Sequence, residues 1–160
     1  MREPLPTAAA RERARGPVHS HASEAAIVLG FDFGVRRVGV AIGNRLTGAA
    51  RPLEVIRTQG ERRWSDIAQL VAHWQPAQLV VGIARHPDGT AHEMTHRCER
   101  FARQLAGRLG LPVARVDERY SSAVLERQHA TDDRAAAVIL QQWLDGIVAH
   151  HPLSPSPSHD

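Results

Sequence analysis

Lysine is absent from this 160-residue chain, and all 20 basic residues are arginine. That excludes every chemistry built on a lysine: Schiff bases, the P-loop phosphate lysine and the kinase lysine. Cysteine occurs once, at Cys98. An intrachain disulfide is therefore excluded, as are a cysteine-based zinc site and a dithiol redox pair. No apolar run approaches the ~18 residues needed to cross a bilayer, so no membrane association is expected. The first residues carry arginine and alanine but no apolar stretch of the secretory kind, so no export signal is expected.

What is present has the balance of a folded, soluble protein. Apolar residues make up 42% and charged residues 23% of a 17.6 kDa chain, enough for one domain. A net charge of +3 gives a pI near 10.3 because arginine stays protonated. Compositional bias accounts for the arginines; planar, bidentate phosphate recognition is the functional alternative. The charge alone is a weak pointer to nucleic acid.

Residues 1–26 contain Pro4, Pro6, Gly16 and Pro17 without apolar periodicity, and residues 150–160 are rich in Pro and Ser. Both are expected to be disordered extensions around one folded domain at 27–149. The domain opens with an apolar run, Ile27 to Phe33, that reads as a buried strand. A second run, Val38 to Gly43, follows so closely that the two form an antiparallel hairpin. A third strand is expected over Leu53–Arg57, entered through Pro52. Trp64, Ile67, Leu70, Val71 and Trp74 then fall at helical spacing before Pro76. A strand over Leu79–Ile83 follows. Met94, Cys98, Phe101, Leu105 and Leu109 mark a helix capped by Gly110. A short strand over Pro112–Val116 precedes a final helix from about Asp132 to Val148. That helix has Thr131 as N-cap and Val138, Ile139, Trp143, Leu144 and Ile147 buried. The order βββαβαβα predicts an α/β fold with a mixed five-stranded sheet and helices packed on it. A ribonuclease H-like fold and half of an actin-like ATPase both fit, but the chain is too short for the two lobes of the latter.

Three groups of acids stand where acids need a reason. Asp32 interrupts an apolar strand between Phe31 and Phe33. A carboxylate buried there needs a cation or a metal, with Arg36 or Arg37 as the purely structural partner. Asp117 and Glu118 follow the last short strand, where a solvated loop is the plain alternative. Asp132 and Asp133 open the final helix, where complementing the helix dipole is reason enough for acids. Together, a strand interior, a strand end and a helix start can converge on one side of a sheet. Such a carboxylate set suits hard cations. Two Mg²⁺ ions about 4 Å apart can activate a water and stabilise the leaving oxygen of a phosphodiester.

The segments Leu29-Gly30-Phe31-Asp32-Phe33-Gly34, Arg36-Arg37-Val38-Gly39-Val40-Ala41 and Thr47-Gly48-Ala49-Ala50-Arg51-Pro52-Leu53 closely resemble the opening of the YqgF family. Its members are described as pre-16S rRNA nucleases or Holliday junction resolvases. The resemblance continues through Val80-Val81-Gly82, Asp88-Gly89-Thr90, Asp117-Glu118-Arg119-Tyr120-Ser121-Ser122 and Asp132-Asp133-Arg134-Ala135-Ala136, and spans residues 27–148. It implies a ribonuclease H-like fold and a cytoplasmic endonuclease dependent on Mg²⁺ or Mn²⁺. The implied substrate is structured nucleic acid: the 5′ end of pre-16S rRNA in a small-subunit precursor, or a branched DNA junction. By position, Asp32, Glu118 and Asp132 match the catalytic, metal-holding acids. Arg36 and Arg37 match basic positions facing phosphate, and Arg119 one that orients an acid or touches the nucleic-acid backbone. A monomer or weak dimer is expected. Two segments depart from the family pattern. Gly82-Ile83-Ala84-Arg85-His86-Pro87 replaces the usual Gly-Leu-Pro, and only Tyr120 to Thr131 separates the Asp-Glu-Arg motif from the last helix. The shortened segment motivates a second expectation, a non-catalytic rRNA-binding assembly factor on the same fold.

Three further motifs are read as coincidental. His92-Glu93-Met94-Thr95-His96 spells the zincin signature, yet Met94 and Cys98, not the histidines, continue the buried stripe. Asp32-Phe33-Gly34 lacks the other kinase motifs. Trp64, Trp74 and Trp143 lie on apolar faces and read as core rather than as stacking platforms.

Overall fold

The computed structural model describes residues 26–119 and 132–150, apart from the side chains of Arg119, Asp132, Asp133 and residues 148–150. The terminal extensions, the Thr131 cap and the segment from Tyr120 to Thr131 lie outside the described residues.

Eight elements follow the expected order. They are β1 (Ile27–Phe33), β2 (Val38–Asn44), β3 (Ala49–Ile56), α1 (Gly60–Trp74), β4 (Gln78–Arg85), α2 (Glu93–Leu109), β5 (Val113–Arg119) and α3 (Asp132–His150). The sheet order is β3-β2-β1-β4-β5. β1, β2 and β3 form an antiparallel meander, and β4 and β5 add parallel to β1. This is the mixed five-stranded sheet of an α/β fold that the element order implies. Parallel neighbours need a crossover, and α1 and α2 supply it.

Strand alternation sends side chains to two separate cores. Leu29, Phe31, Val81 and Ile83 pack with Ile67 of α1 and with Phe101 and Leu105 of α2. Val28, Ala41 and Val80 pack on the other face with Ala136, Ile139, Leu140 and Leu144 of α3. Both strands β1 and β4 are therefore covered twice, which is why they read as near-continuous apolar runs.

The α3 face is unusually close. A Cβ placed on Gly30 would lie 2.8 Å from Leu140 Cβ, and one on Gly82 would lie 2.5 Å from Ile139 Cδ1. Leu140 is fully buried, whereas Val138, Trp143 and Ile147 are only half-buried. Ile139 and Leu144 are buried as expected, and the docked face extends to Ala136 and Leu140, where the glycines of the sheet admit the helix.

Several strands differ from their expected bounds, and β4 runs from Gln78 to Arg85 rather than Leu79–Ile83. β3 begins at Ala49 and passes through Pro52, which an edge strand tolerates because it need not donate on its open side. A register shift opposite Val40 and Ala41 accommodates the bend. β5 continues to Arg119, so Asp117 and Glu118 are strand residues rather than the start of a loop. Gly110 adopts the left-handed conformation (φ 66°) that ends α2, as its position implied. Among the described residues, no helix is long and apolar enough to cross a membrane.

Candidate active site at the carboxyl ends of the parallel strands

Asp32 is the last residue but one of β1 and is half-buried, not fully enclosed as its apolar neighbours implied. Val28 packs toward α3, so residues 30 and 32 of the same strand share that face. On β5, Ala114 and Val116 also pack toward α3, which puts half-buried Glu118 on the same side. Asp32 and Glu118 therefore point to the same side of the sheet with β4 between them, about 10 Å apart across the strands and offset by two residues along them. Alternation leaves Gly82 on that face of β4 between them, while Ala84 packs with the α1 and α2 core. Val116 pairs with Gly82 and Glu118 with Ala84. Ile139 covers Gly82 from the core side, so the gap opens outward at the strand ends.

Helix α3 begins at this end. Gly30 faces Ala136 and Leu140, while Gly43, paired with Val28, faces Leu140 and Leu144. The helix thus runs antiparallel to β1. From Gly30 to Asp32 the strand advances about 6.6 Å, and one helical turn back along α3 advances about 5.4 Å. The backbone of the first turn, which begins at Asp132, is thereby level with Asp32. The Asp132 side chain lies outside the described residues. Among the described residues no three His, Cys, Asp or Glu side chains are grouped to hold a metal, and the structure brings two of the three expected acids to one face.

The neighbouring acid Asp117 points the other way and pairs with Arg85 at 3.0 Å, which separates it from the α3 face. Arg36 and Arg37 lie in the exposed turn between β1 and β2. Arg119 ends β5, and its side chain lies outside the described residues. His92 does not act as half of a zincin pair. Its Nδ1 accepts from the Met94 amide at 3.0 Å, and its own amide donates to the Thr95 hydroxyl at 2.9 Å, which together cap α2. The Thr95 hydroxyl in turn donates to Ala84 O and pins the start of α2 to the end of β4.

Cys98 lies beneath this end of the sheet and is 3% exposed. Burial pushes its thiol up from the ordinary value. A backbone hydrogen bond at Ala84 works the other way, and the charges of Asp32, Glu118 and Glu99 add to the rise. One thiol thus feels both acids of the α3 face. The raised, enclosed thiol is inert: at pH 8 a thiol reagent such as Ellman's labels less than a tenth of the folded protein in the time that labels it fully in urea. Rapid labelling without denaturant would contradict the burial.

Sequence reasoning missed two residues that shape the site. Arg63 is 7% exposed and hydrogen-bonds the carbonyls of Gly34 and Val35, and Gln59 hydrogen-bonds that of Arg36. A signal for Arg63 existed: it stands four residues before Ile67, at a core position of the α1 stripe where a charge is out of place.

A family profile described as RuvX, Holliday junction resolvase, matches residues 26–146. The chain belongs to that family. A relative from Paraburkholderia xenovorans, with the provisional name pre-16S rRNA nuclease, is 46% identical over 139 residues, covering 81% of this chain and 95% of its own length. Relatives of the same provisional name from Burkholderia mallei and Burkholderia ambifaria are each 50% identical over 138 residues. They cover 81% and 78% of this chain, and 94% and 93% of their own lengths. Among solved structures, Thermus thermophilus RuvC aligns with a TM-score of 0.49 at 14% identity, over 77% of this chain and 96% of that one.

Proposed function

We propose that this RuvX chain is a divalent-metal-dependent endonuclease that hydrolyses phosphodiester bonds in structured nucleic acid, with the 5′ end of pre-16S rRNA as its substrate in the cytoplasm. The observation that carries the reading is the placement of Asp32 and Glu118 toward the α3 side of the sheet, on the strands that flank β4, with Gly82 of β4 between them. Family membership and the provisional names of relatives matched over nearly their whole length support it.

The donor set fits a hard cation. It is made of carboxylate oxygens, half-buried, at the open end of a sheet. Asp32 and Glu118 would hold Mg²⁺ or Mn²⁺ together with Asp132 from α3. When bound, the cation supplies a Lewis acid that activates a water and stabilises the leaving oxygen of a phosphodiester. The chain's own part is to fix the spacing of both carboxylates through β4 and present Arg36, Arg37 and Arg119 to the phosphates. Arginine suits that role because its planar fork matches a phosphate in two hydrogen bonds.

Incubation with a labelled pre-16S leader and, side by side, a four-way DNA junction tests the proposal. Cleavage of the leader in Mg²⁺, abolished by EDTA, is expected. Cleavage of the junction alone would move the substrate to DNA. Binding of the leader without any turnover in Mg²⁺ or Mn²⁺ would overturn the nuclease reading in favour of an assembly factor.

A further inference from the structure

The turn between β1 and β2 follows the acid of β1 and carries the two arginines, and it is held from behind by the start of α1. Three consecutive carbonyls in it are bound by side chains of that helix start. Arg63 donates through Nη1 to Gly34 O at 3.4 Å and through Nη2 to Val35 O at 3.0 Å. Gln59 Nε2 donates to Arg36 O at 2.6 Å. Arg63 itself is fixed: its Nε donates to Thr58 O at 2.9 Å and its guanidinium lies 5.9 Å from the Phe33 ring centre. Thr58 is held in turn by its hydroxyl donating to Asp66 at 2.6 Å. Gly34 closes the turn, since a Cβ there would lie 2.7 Å from Arg37 O. The main chain of residues 34–36 is thus anchored, while the side chains of Arg36 and Arg37 stay on the exposed side.

Burying a guanidinium is costly, and an apolar side chain at this core position of α1 would pack without that cost. What the arginine adds is a rigid fork that reaches two successive carbonyls of a surface turn. Preorganising a binding loop raises affinity by removing the entropy lost when it orders.

We infer that Gln59 and Arg63 are positioning residues that hold the 34–36 backbone so that Arg36 and Arg37 meet two phosphates of a nucleic-acid strand. This rests on the proposed nucleic-acid reading of the site. Neither residue touches substrate; both act through the turn.

The test is the salt dependence of binding to a fluorescein-labelled pre-16S leader in Ca²⁺, with the full chain. Each lost phosphate contact lowers the slope of log K against log salt by about 0.7–0.9. Arg36→Ala/Arg37→Ala should lower it by about 1.5. Gln59→Ala and Arg63→Lys should each lower it by at least about 0.5 and weaken binding several-fold, with Mn²⁺ affinity unchanged and, for Gln59→Ala, Tm unchanged as well. Added to the Arg36→Ala/Arg37→Ala background, either change should do nothing more, because a positioning residue has nothing left to position. Where Arg63→Lys fails to fold, Gln59→Ala decides, since it lies on the surface and removes one hydrogen bond to the turn. An unchanged slope in folded Gln59→Ala, or full additivity in the double background, overturns the inference while leaving the nuclease reading intact. A wild-type slope insensitive to Arg36→Ala/Arg37→Ala overturns the phosphate-binding reading, and the positioning role with it.

Discussion

Asp32→Asn protein is expected to fold with a Tm within a few degrees of wild type and to lose Mg²⁺-dependent cleavage by at least about 10³-fold. The substitution keeps the shape of a half-buried side chain at the end of β1 and removes only its charge. A neutral amide is a poor ligand for a hard cation. Losing roughly 4 kcal/mol of transition-state charge stabilisation corresponds to three decades in rate. Two measurements check it together: leader cleavage, and the rise in Tm on adding Mn²⁺, which reports binding to the folded state. The wild type should show the rise and Asp32→Asn should not. Glu118→Gln should behave alike. Asp117→Asn should cleave within a few-fold of wild type, because Asp117 is engaged with Arg85 on the opposite face.

Gly30→Ala is expected to destabilise the fold by about 2 kcal/mol, the cost of overpacking a well-filled core. The added methyl would meet Leu140 Cβ at 2.8 Å and Ala136 O at 3.3 Å. Neither atom can swing aside without moving α3 as a whole. Because that helix starts level with Asp32, the displacement should also lower cleavage, linking a packing change to the chemistry. Gly82→Ala provides the contrast. Its methyl would meet first the Cδ1 end of Ile139, which can change rotamer, so a smaller loss is expected. Urea denaturation of both variants measures the difference. Equal stabilities for Gly30→Ala and wild type would show that α3 is not seated as closely as the structure has it.

Much of this architecture was legible in the chain. Strand β1 reads as buried because both faces are covered, and α2 reads as a helix because Cys98, Phe101 and Leu105 repeat on one face before a left-handed Gly110. The errors have local causes. Pro52 looks like a strand boundary, yet an edge strand can carry it. Asp117, Glu118 and Arg119 look like a loop because they are charged, yet their backbone pairs with β4 through Arg85. The buried face of α3 was legible in Ile139 and Leu144, but the share of Ala136 and Leu140 was not, because the close approach is set by Gly30, Gly43 and Gly82, distant in sequence from the helix they admit.

The site itself was legible in part. An acid inside an apolar run marked Asp32, and its placement with Glu118 follows from strand alternation once the topology is fixed. The hold of Gln59 and Arg63 on the turn was not legible. Contacts between a side chain and a distant carbonyl leave no spacing to count, and only the charge at a core position of α1 hinted at them. The histidine pair at His92 and His96 shows the reverse case: a strong motif whose first histidine serves as a helix cap.

Anomalous scattering from Mn²⁺-soaked crystals tests the central claim most directly. The account predicts one or two manganese peaks between Asp32, Glu118 and the first turn of α3, within about 2.2 Å of carboxylate oxygens from all three, and their loss in Asp32→Asn crystals. Manganese bound away from Asp32, or Asp32 and Glu118 each turned to separate arginines with no peak between them, would contradict it.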